Sequence, residues 1–486
     1  ASFVPVIQHP VSSIQYPARG FSLIRPVIQS GPGRSNPEPN GLMKDYSRRK
    51  FLGKTGWAIS LAPAVAAGCV SLVVRPSRAA AVGANDKIRI GLIGSGGMGR
   101  GDLATFFLSP EVDCPVICDV DDAMIAQGVA LVEKQRGHKP DTLKDFRRVL
   151  ERKDIDAVLV ATPDHWHALP TVLACQAGKD VYVEKPLATS TDEGRAMLTA
   201  AQKHNRIVQM GTQWRSGVHW REAVEFVRSG KLGKVGLVRG WAYHDWLSSI
   251  GNPPEAEPPA GVDYDMWLGP APKRPFNPSR FHFNFRWFWD YAGGLMTDWG
   301  VHLINIMLWA MGPEHPKTVS STGGKFVLTD NSETPDTQIA VYEFPTYTLV
   351  WEHKVGVGVG LNGRPWGISF TGGAGTLIIN DSGWEIMAER KHETLESKKY
   401  PGSADARPAH VRNFLDCLKS RQQPVENLEL GHFISSVAHL GNVAFRSGHK
   451  IVWDPEKERI GDDPTAGRLV GVEYRKPWEL PYRKRV

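Results

Sequence analysis

The sequence predicts an α/β protein: a doubly wound parallel sheet, followed by an α/β domain with an open, mainly antiparallel sheet. Three observations predict it. In "KIRIGLIGSGGMGRG", Ile88, Ile90 and Leu92 alternate as in a strand and lead into a glycine loop. Downstream, the apolar runs "IDAVLVATPDHWHA", "GKDVYVEKP" and "NRIVQMGTQWRS" are separated by helical stretches such as "TDEGRAMLTAAQKH". Strands that alternate with helices build parallel sheets. Beyond about residue 210, "TQIAVYEF", "YTLVWEHKV" and "WGISFTGGAGTLIIN" come without intervening helices, which indicates antiparallel pairing.

A chain of 486 residues, 41% hydrophobic and 22% charged, is long enough for two domains and a large core. Its net charge of +7 belongs to the leader: residues 1–81 hold ten Lys and Arg against Glu38 and Asp45, a net of +8, which leaves −1 for the rest. The body therefore offers no basic stripe for a phosphate backbone, and nucleic acid is excluded as a partner. In the leader, "SRRKFL" precedes the apolar run "WAISLAPAVAAGCVSLVV" and the small residues of "RAAAVGA". This order predicts a twin-arginine export signal over residues 43–84. A transmembrane anchor is the competing reading, but about 18 residues is the lower limit for spanning, and Pro63, Gly68, Ser60 and Ser71 weaken the run. The protein is expected to be exported folded to the periplasm or beyond, meeting a membrane only through its signal. Residues 1–42, rich in Pro, Ser, Gly and Asn, read as disordered or as an upstream extension. The cysteines outside the signal, Cys114, Cys118, Cys175 and Cys417, form no CxxC pair and no disulfide scaffold.

The loop after the first strand holds Gly94, Gly96, Gly97, Met98 and Gly99, with Gly94, Gly96 and Gly99 in the G-x-G-x-x-G spacing. That spacing supplies a tight turn, close backbone approach to a pyrophosphate, and a helix N-terminus aimed at it. Alone it is a weak signal. Here a strand precedes it, a helix pattern follows, and Asp119 lies 25 residues after Gly94. An acid there accepts both ribose hydroxyls of NAD and disfavours a 2′-phosphate, so NAD is expected over NADP. Ligands bind at the carboxyl ends of parallel strands. Thr162, Pro163 and His167, and then Glu184 and Lys185, fall at such ends and complete the candidate cofactor contacts.

The glycine loop, "ATPDHWHA" and "EKPLA" resemble the Gfo/Idh/MocA oxidoreductases over roughly residues 86–456, with "GGLMTDWGVHLIN" and "HVRNFLDCLKSR" as further landmarks. The resemblance implies an NAD-binding Rossmann domain over 85–210, a substrate and oligomerisation domain over 211–456, and a tail over 457–486. It also implies NAD(P)-linked chemistry on the CH–OH groups of sugars or cyclitols, and a homodimer or homotetramer. Two positions depart from the family pattern. Asp164 replaces a usual Asn, and Asn305 stands where an acid is often found.

Lys185 is the first catalytic candidate. Most lysines lie on the surface, yet this one ends a buried strand between Glu184 and Pro186. Near a nicotinamide it could bond the reacting hydroxyl and exchange its proton, the role the resemblance gives it. Glu184, if close, would hold that proton on it. Asp298 and His302, spaced i,i+4, would share one helix face. A histidine in an apolar helix is usually a core residue. The resemblance instead makes His302 a second proton-transfer group and Asp298 its orienter or a substrate binder. His165 and His167 invite a metal reading, but the spacing is not specific and hydride transfer needs none, so no metal is expected.

Past residue 210 the aromatic content rises, in "WAYHDWLSS" and in "RFHFNFRWFWDYAGG", which contains His282 and Arg286. Aromatic faces with charged donors suit a carbohydrate, although most of these tryptophans are expected in the core. Lys185, Arg215, Tyr243, His244, Asp298 and His302 are the candidate substrate contacts. "GNPPEAEPPAGVDYDMWLGP" reads as a lid or an oligomer arm. The expected reaction is oxidation of a secondary alcohol of a sugar, glycoside or cyclitol, or reduction of the ketone. Two other readings start from the same residues: a glycosidase or isomerase that retains its NAD, and a non-catalytic sugar sensor.

Overall fold

The computed structural model describes residues 87–391 and 395–483. The extension expected over 1–42 and the export signal expected over 43–84 lie outside them. Among the described residues no helix is long and apolar enough to cross a membrane.

Six short strands form the first sheet: β1 (Ile88–Ile93), β2 (Val112–Cys118), β3 (Asp141–Leu143), β4 (Ala157–Val160), β5 (Asp180–Val183) and β6 (Val208–Met210). All pairs are parallel and the order is β3-β2-β1-β4-β5-β6, the doubly wound Rossmann arrangement. Both faces are covered, which is why β4 and β5 are buried throughout. The period of two sends Leu159 and Tyr182 to one face and Val158, Val160, Val181 and Val183 to the other.

The cover on the first face comes partly from far along the chain. The helix Arg407–Ser420 lays Val411, Phe414, Leu415 and Leu418 against Ile88, Phe106 and Tyr182. Phe414 is fully buried, edge-on to Phe106 (6.0 Å between centroids) and to Tyr182 (5.7 Å). The C-terminal segment reaches the other face, where Leu480 is buried and Tyr474 and Trp478 pack beside it. Tyr474 donates to buried Glu193 at 2.6 Å.

The second sheet has ten strands: β7 (Val235–His244), β8 (Thr318–Gly324), β9 (Thr337–Glu343), β10 (Thr348–Val355), β11 (Trp366–Gly372), β12 (Gly375–Asn380), β13 (Gly383–Ala388), β14 (Lys398–Pro401), β15 (Ile451–Asp454) and β16 (Arg459–Ile460). Their order is β14-β13-β12-β11-β7-β10-β9-β8-β15-β16. Every pairing is antiparallel except that of β7 with β10, so the sheet is mixed and mainly antiparallel. The helices Val218–Arg228, Gly300–Met311 and Leu428–Ser447 bury its inner face. Leu428–Ser447 also packs on the helix Thr191–His204 of the first domain, so both cores share it.

Truncating Phe414 to Ala leaves a cavity where the two domains meet, and should cost about 3–5 kcal/mol of stability. Chemical denaturation is the check, and NAD affinity is expected to fall with it because the Rossmann sheet loses its cover.

Candidate active site

At the nucleotide end, β1 stops at Ile93 and Gly94 turns with φ +91°. A Cβ on Gly94 would lie 2.6 Å from the Ala161 carbonyl oxygen, and one on Gly99 2.0 Å from that of Gly94. Neither position admits a side chain. Gly96 and Gly97 are the reverse case, with nothing within 4 Å of an added Cβ. They leave an open cradle at the N-terminus of the helix Gly97–Phe106, whose first turn has no side-chain cap. Its free N–H groups are donors for an anion. Met98 is exposed beside them. The Asp119 carboxylate accepts the Ser95 N–H (2.6 Å) and the Asp121 N–H (3.1 Å), which fixes it at the rim of the loop. Burial pushes its pKa up, against those two donors. The open cradle, free helix N-terminus and anchored acid fit a dinucleotide.

The next strand ends close this groove. Thr162 follows β4 and its backbone nitrogen lies against Gly94, with Pro163 next to it. His167 is buried between two carbonyls, with Nε2 at 2.9 Å from Thr162 O and Nδ1 at 2.7 Å from Pro186 O. Both ring nitrogens thus face backbone carbonyls, and the neutral ring donates to one of them. His167 ties the end of β4 to the segment after Lys185, and burial pushes its pKa down to about 4. Its neighbour His165 bonds Trp267 O at 2.9 Å. Among the described residues, no three His, Cys, Asp or Glu side chains gather as a metal site. Asp164 is buried, and burial pushes its pKa up to about 8 despite Arg286 and Lys185 nearby.

Lys185 follows β5, and the Lys185–Pro186 bond is cis. Its ammonium turns away from Glu184 and donates to Asp298 Oδ1 (2.7 Å) and Asp298 O (3.0 Å). Arg286 Nε lies 3.3 Å from the same Oδ1. Burial opposes ionisation of Asp298, but Lys185 and Arg286 outweigh it and hold the carboxyl well below the usual carboxylate range. The expected single helix through Asp298 and His302 breaks at Trp299 into Gly294–Asp298 and Gly300–Met311. Trp299 stays in the right-handed helical region (φ −98°, ψ −41°), so Asp298 and His302 remain one turn apart. Among the described residues the buried His302 Nδ1 has no hydrogen-bond partner, and the ring leans on Trp214 at 4.9 Å between centroids. Burial and the Lys185 charge push its pKa down to about 3, so the ring is neutral. An ion-paired donor and a neutral acceptor therefore flank one carboxylate.

On the substrate side the strand pleat separates two neighbours. His244 faces inward, 4.1 Å between centroids from Trp299, and accepts from Trp246 Nε1 at 3.1 Å. Its Nε2 has no partner among the described residues, and burial pushes its pKa down to about 4. Tyr243 points to the opposite face of β7 and donates to Glu352 on β10 at 2.8 Å, so the structure does not bring it to Asp298. Arg215 is bound into the protein: it pairs with fully buried Glu426, donates to Asn305 Oδ1 at 2.6 Å and lies over Trp309. Sequence reasoning missed Trp214, whose ring lies parallel to those of Trp220 (4.6 Å) and Trp366 (5.0 Å) and meets His302. The aromatic segment containing Arg286 also spans the groove, since His282 bonds Asp121 at 2.8 Å while Arg286 meets Asp298. The Pro-rich loop docks at the end of β2: Asp263 N–H donates to Val120 O at 2.9 Å.

Residues 88–212 match the family profile described as "Oxidoreductase family, NAD-binding Rossmann fold". Residues 225–350 and 377–480 match its companion, "Oxidoreductase family, C-terminal alpha/beta domain". The chain belongs to the Gfo/Idh/MocA oxidoreductase family. Among curated relatives, levoglucosan dehydrogenase of Pseudarthrobacter phenanthrenivorans is 28% identical over 169 residues, 34% of this chain and 43% of that protein. An alpha-N-acetylgalactosaminidase of Shewanella oneidensis is 27% identical over 206 residues, 40% of this chain and 45% of that protein. These alignments cover less than half the length of either relative. Among solved structures, levoglucosan dehydrogenase in complex with NADH and levoglucosan superposes with a TM-score of 0.59 at 16% identity, covering 76% of this chain and 99% of that one. The WlbA dehydrogenase of Bordetella pertussis, in complex with NADH and UDP-GlcNAcA, gives 0.56 at 17% identity over 76% and 99%. These likenesses show a shared fold.

Gly96→Ala meets no neighbour, so it should leave the melting temperature unchanged while weakening NAD binding about tenfold, some 1.4 kcal/mol. Gly99→Ala should lose both, because its Cβ strikes the Gly94 carbonyl. Titration calorimetry beside thermal melts separates the two cases. A second expectation concerns pH. His302 and Asp298 have folded pKa values below their unfolded ones, so both release protons on folding and stability is lost as pH falls. The His302 window runs from 6.5 down to about 3. The melting temperature of His302→Gln should therefore depend less on pH across that window than the wild type's.

Proposed function

We propose that the protein is an NAD-dependent oxidoreductase acting on a secondary alcohol of a sugar, glycoside or cyclitol, or on the corresponding ketone. The observation that carries this reading is the Lys185–Asp298 pair, 2.7 Å long, at the carboxyl edge of an NAD-type sheet with neutral His302 one turn away. NAD, when bound, supplies the hydride acceptor at nicotinamide C4. The chain's own residues handle the proton. Asp298 orients the Lys185 ammonium toward the reacting oxygen, and His302 presents a neutral nitrogen that can accept a proton as the alcohol becomes a ketone. In reduction the same nitrogen returns that proton to the carbonyl oxygen as hydride arrives, with the Lys185 ammonium hydrogen-bonded to that oxygen. Arg286, with its guanidinium 4.5 Å from the Phe283 ring centroid, and the Trp214 and His244 rings supply hydroxyl donors and a stacking wall for a sugar.

A second reading is supported by the curated relatives named as glycosyl hydrolase family 109 proteins, one 30% identical over 154 residues. In it the same proton groups serve a glycosidase that oxidises and re-reduces its substrate on a retained NAD. A sugar sensor is disfavoured by the convergence of Lys185, Asp298 and His302. We also propose export through the twin-arginine leader, and association as a homodimer or homotetramer.

The test is absorbance at the NADH band together with chromatography of the products, on a panel of sugars, glycosides, sugar acids and cyclitols, with and without added NAD. Turnover that needs added NAD favours the dehydrogenase, and turnover without it favours the glycosidase. Lys185→Ala is expected to bind NAD normally while kcat falls by roughly 10²–10⁴. Full turnover in that variant would remove Lys185 from the mechanism.

A further inference from the structure

The reaction described above leaves one buried pair of ionisable groups unused. On the inner side of the helix Gly97–Phe106, the Asp102 carboxyl meets that of Glu184 in hydrogen-bond contact. Both residues are sealed, Asp102 at 4% exposure and Glu184 at 6%. Gly211 makes the room, since a Cβ there would lie 2.1 Å from Glu184 Oε1. Among the described residues Asp102 Oδ2, itself buried, has no hydrogen-bond partner. Among the described residues neither carboxyl has an ion-pair partner: Lys185 is taken by Asp298, and Arg407, which faces the pair, is taken by Asp405. Tyr182 from β5, Asp298 from the second domain and Asp164 after β4 are the other ionisable groups facing it.

Ionised carboxylates only accept hydrogen bonds, so two of them in contact need a hydrogen between them. Like charges in a dry site also cannot both be carried cheaply. We propose that Asp102 and Glu184 share a single proton in the resting protein and act as a positioning pair for Lys185. The direction of titration agrees. Burial, and then the Glu184 charge, pushes the Asp102 carboxyl well above the usual carboxylate range, and burial raises Glu184 against the pull of Lys185.

The pair reaches Lys185 through its backbone, because Glu184 Oε2 accepts the Lys185 N–H at 3.3 Å. With one proton retained, the pair bears one negative charge and Asp298 keeps the ammonium. When the proton leaves to solvent at alkaline pH, the second charge competes with Asp298 for Lys185 and turns it from the reacting oxygen. A carboxyl raised in the folded state stabilises below that pH and loses the contribution as pH rises. The kinetic consequence rests on the oxidoreductase reading, but the shared proton does not.

The test is infrared pH-difference spectroscopy on the full-length protein. The wild type should keep a protonated-carboxyl band above pH about 5, where ordinary carboxylates are ionised. Asp102→Asn should lose one carboxyl's share of it, with Asp164→Asn measured separately to subtract that residue. Absence of such a band from the wild type, or an unchanged band in Asp102→Asn, would overturn the proposal whatever the protein's activity. In turnover, wild-type kcat should fall about tenfold across the alkaline transition, while Asp102→Asn stays within about twofold. The same fall with the same midpoint in Asp102→Asn would overturn the positioning role and leave the oxidoreductase reading intact.

Discussion

The ion pair between Lys185 and Asp298 is the constraint around which the molecule is arranged. Its members are 113 residues apart, one at the end of a Rossmann strand and the other closing a short helix of the second domain. Buried pairs of this kind contribute little net stability, because desolvation offsets the attraction. Their effect is geometric. Satisfying Lys185 requires the two domains to meet in one register. That register also brings His302, Arg286 and Trp214 to the edge where the sheet gathers its ligands.

The packing enforces the same register. The helix Arg407–Ser420 covers the Rossmann sheet, while the helix Leu428–Ser447 serves both cores. The Rossmann domain has no complete apolar cover of its own. The C-terminal segment continues this pattern, with Leu480 in the Rossmann core and Tyr474 bonded to Glu193. The groove between nucleotide loop and acid/base groups is thus floored by secondary structure on both sides, which limits how far Lys185 and Asp298 can separate.

Legibility in the sequence followed distance along the chain. Gly94, Gly99 and Asp119 were readable because a tight turn, a helix start and an acid at the next strand end are local requirements. Lys185 was readable as a charge at the end of a buried strand. Glu184 looked like its partner from adjacency, yet the fold turns the lysine to Asp298 and leaves Glu184 to Asp102. Arg215 was a candidate substrate contact, but Glu426, more than two hundred residues on, occupies it. Tyr243 and His244 read as one unit, and the pleat sends them to opposite faces. Trp214 carried no mark that set it apart from the other tryptophans.

By itself the sequence determined the parallel sheet and its order of strands and helices, the nucleotide loop, and the lysine at the end of β5. These follow from periodicity and from glycine and proline chemistry, which act over a few residues. Only the tertiary structure decided which carboxylate holds Lys185, which oxygen of Asp298 also meets Arg286, and that Asp102 lies against Glu184. Such choices depend on which side chains converge once β4 and β5 are buried and the C-terminal helices close over them. Burial also sets their charge states, because a carboxyl or imidazole removed from water answers to its few neighbours and no longer to solvent.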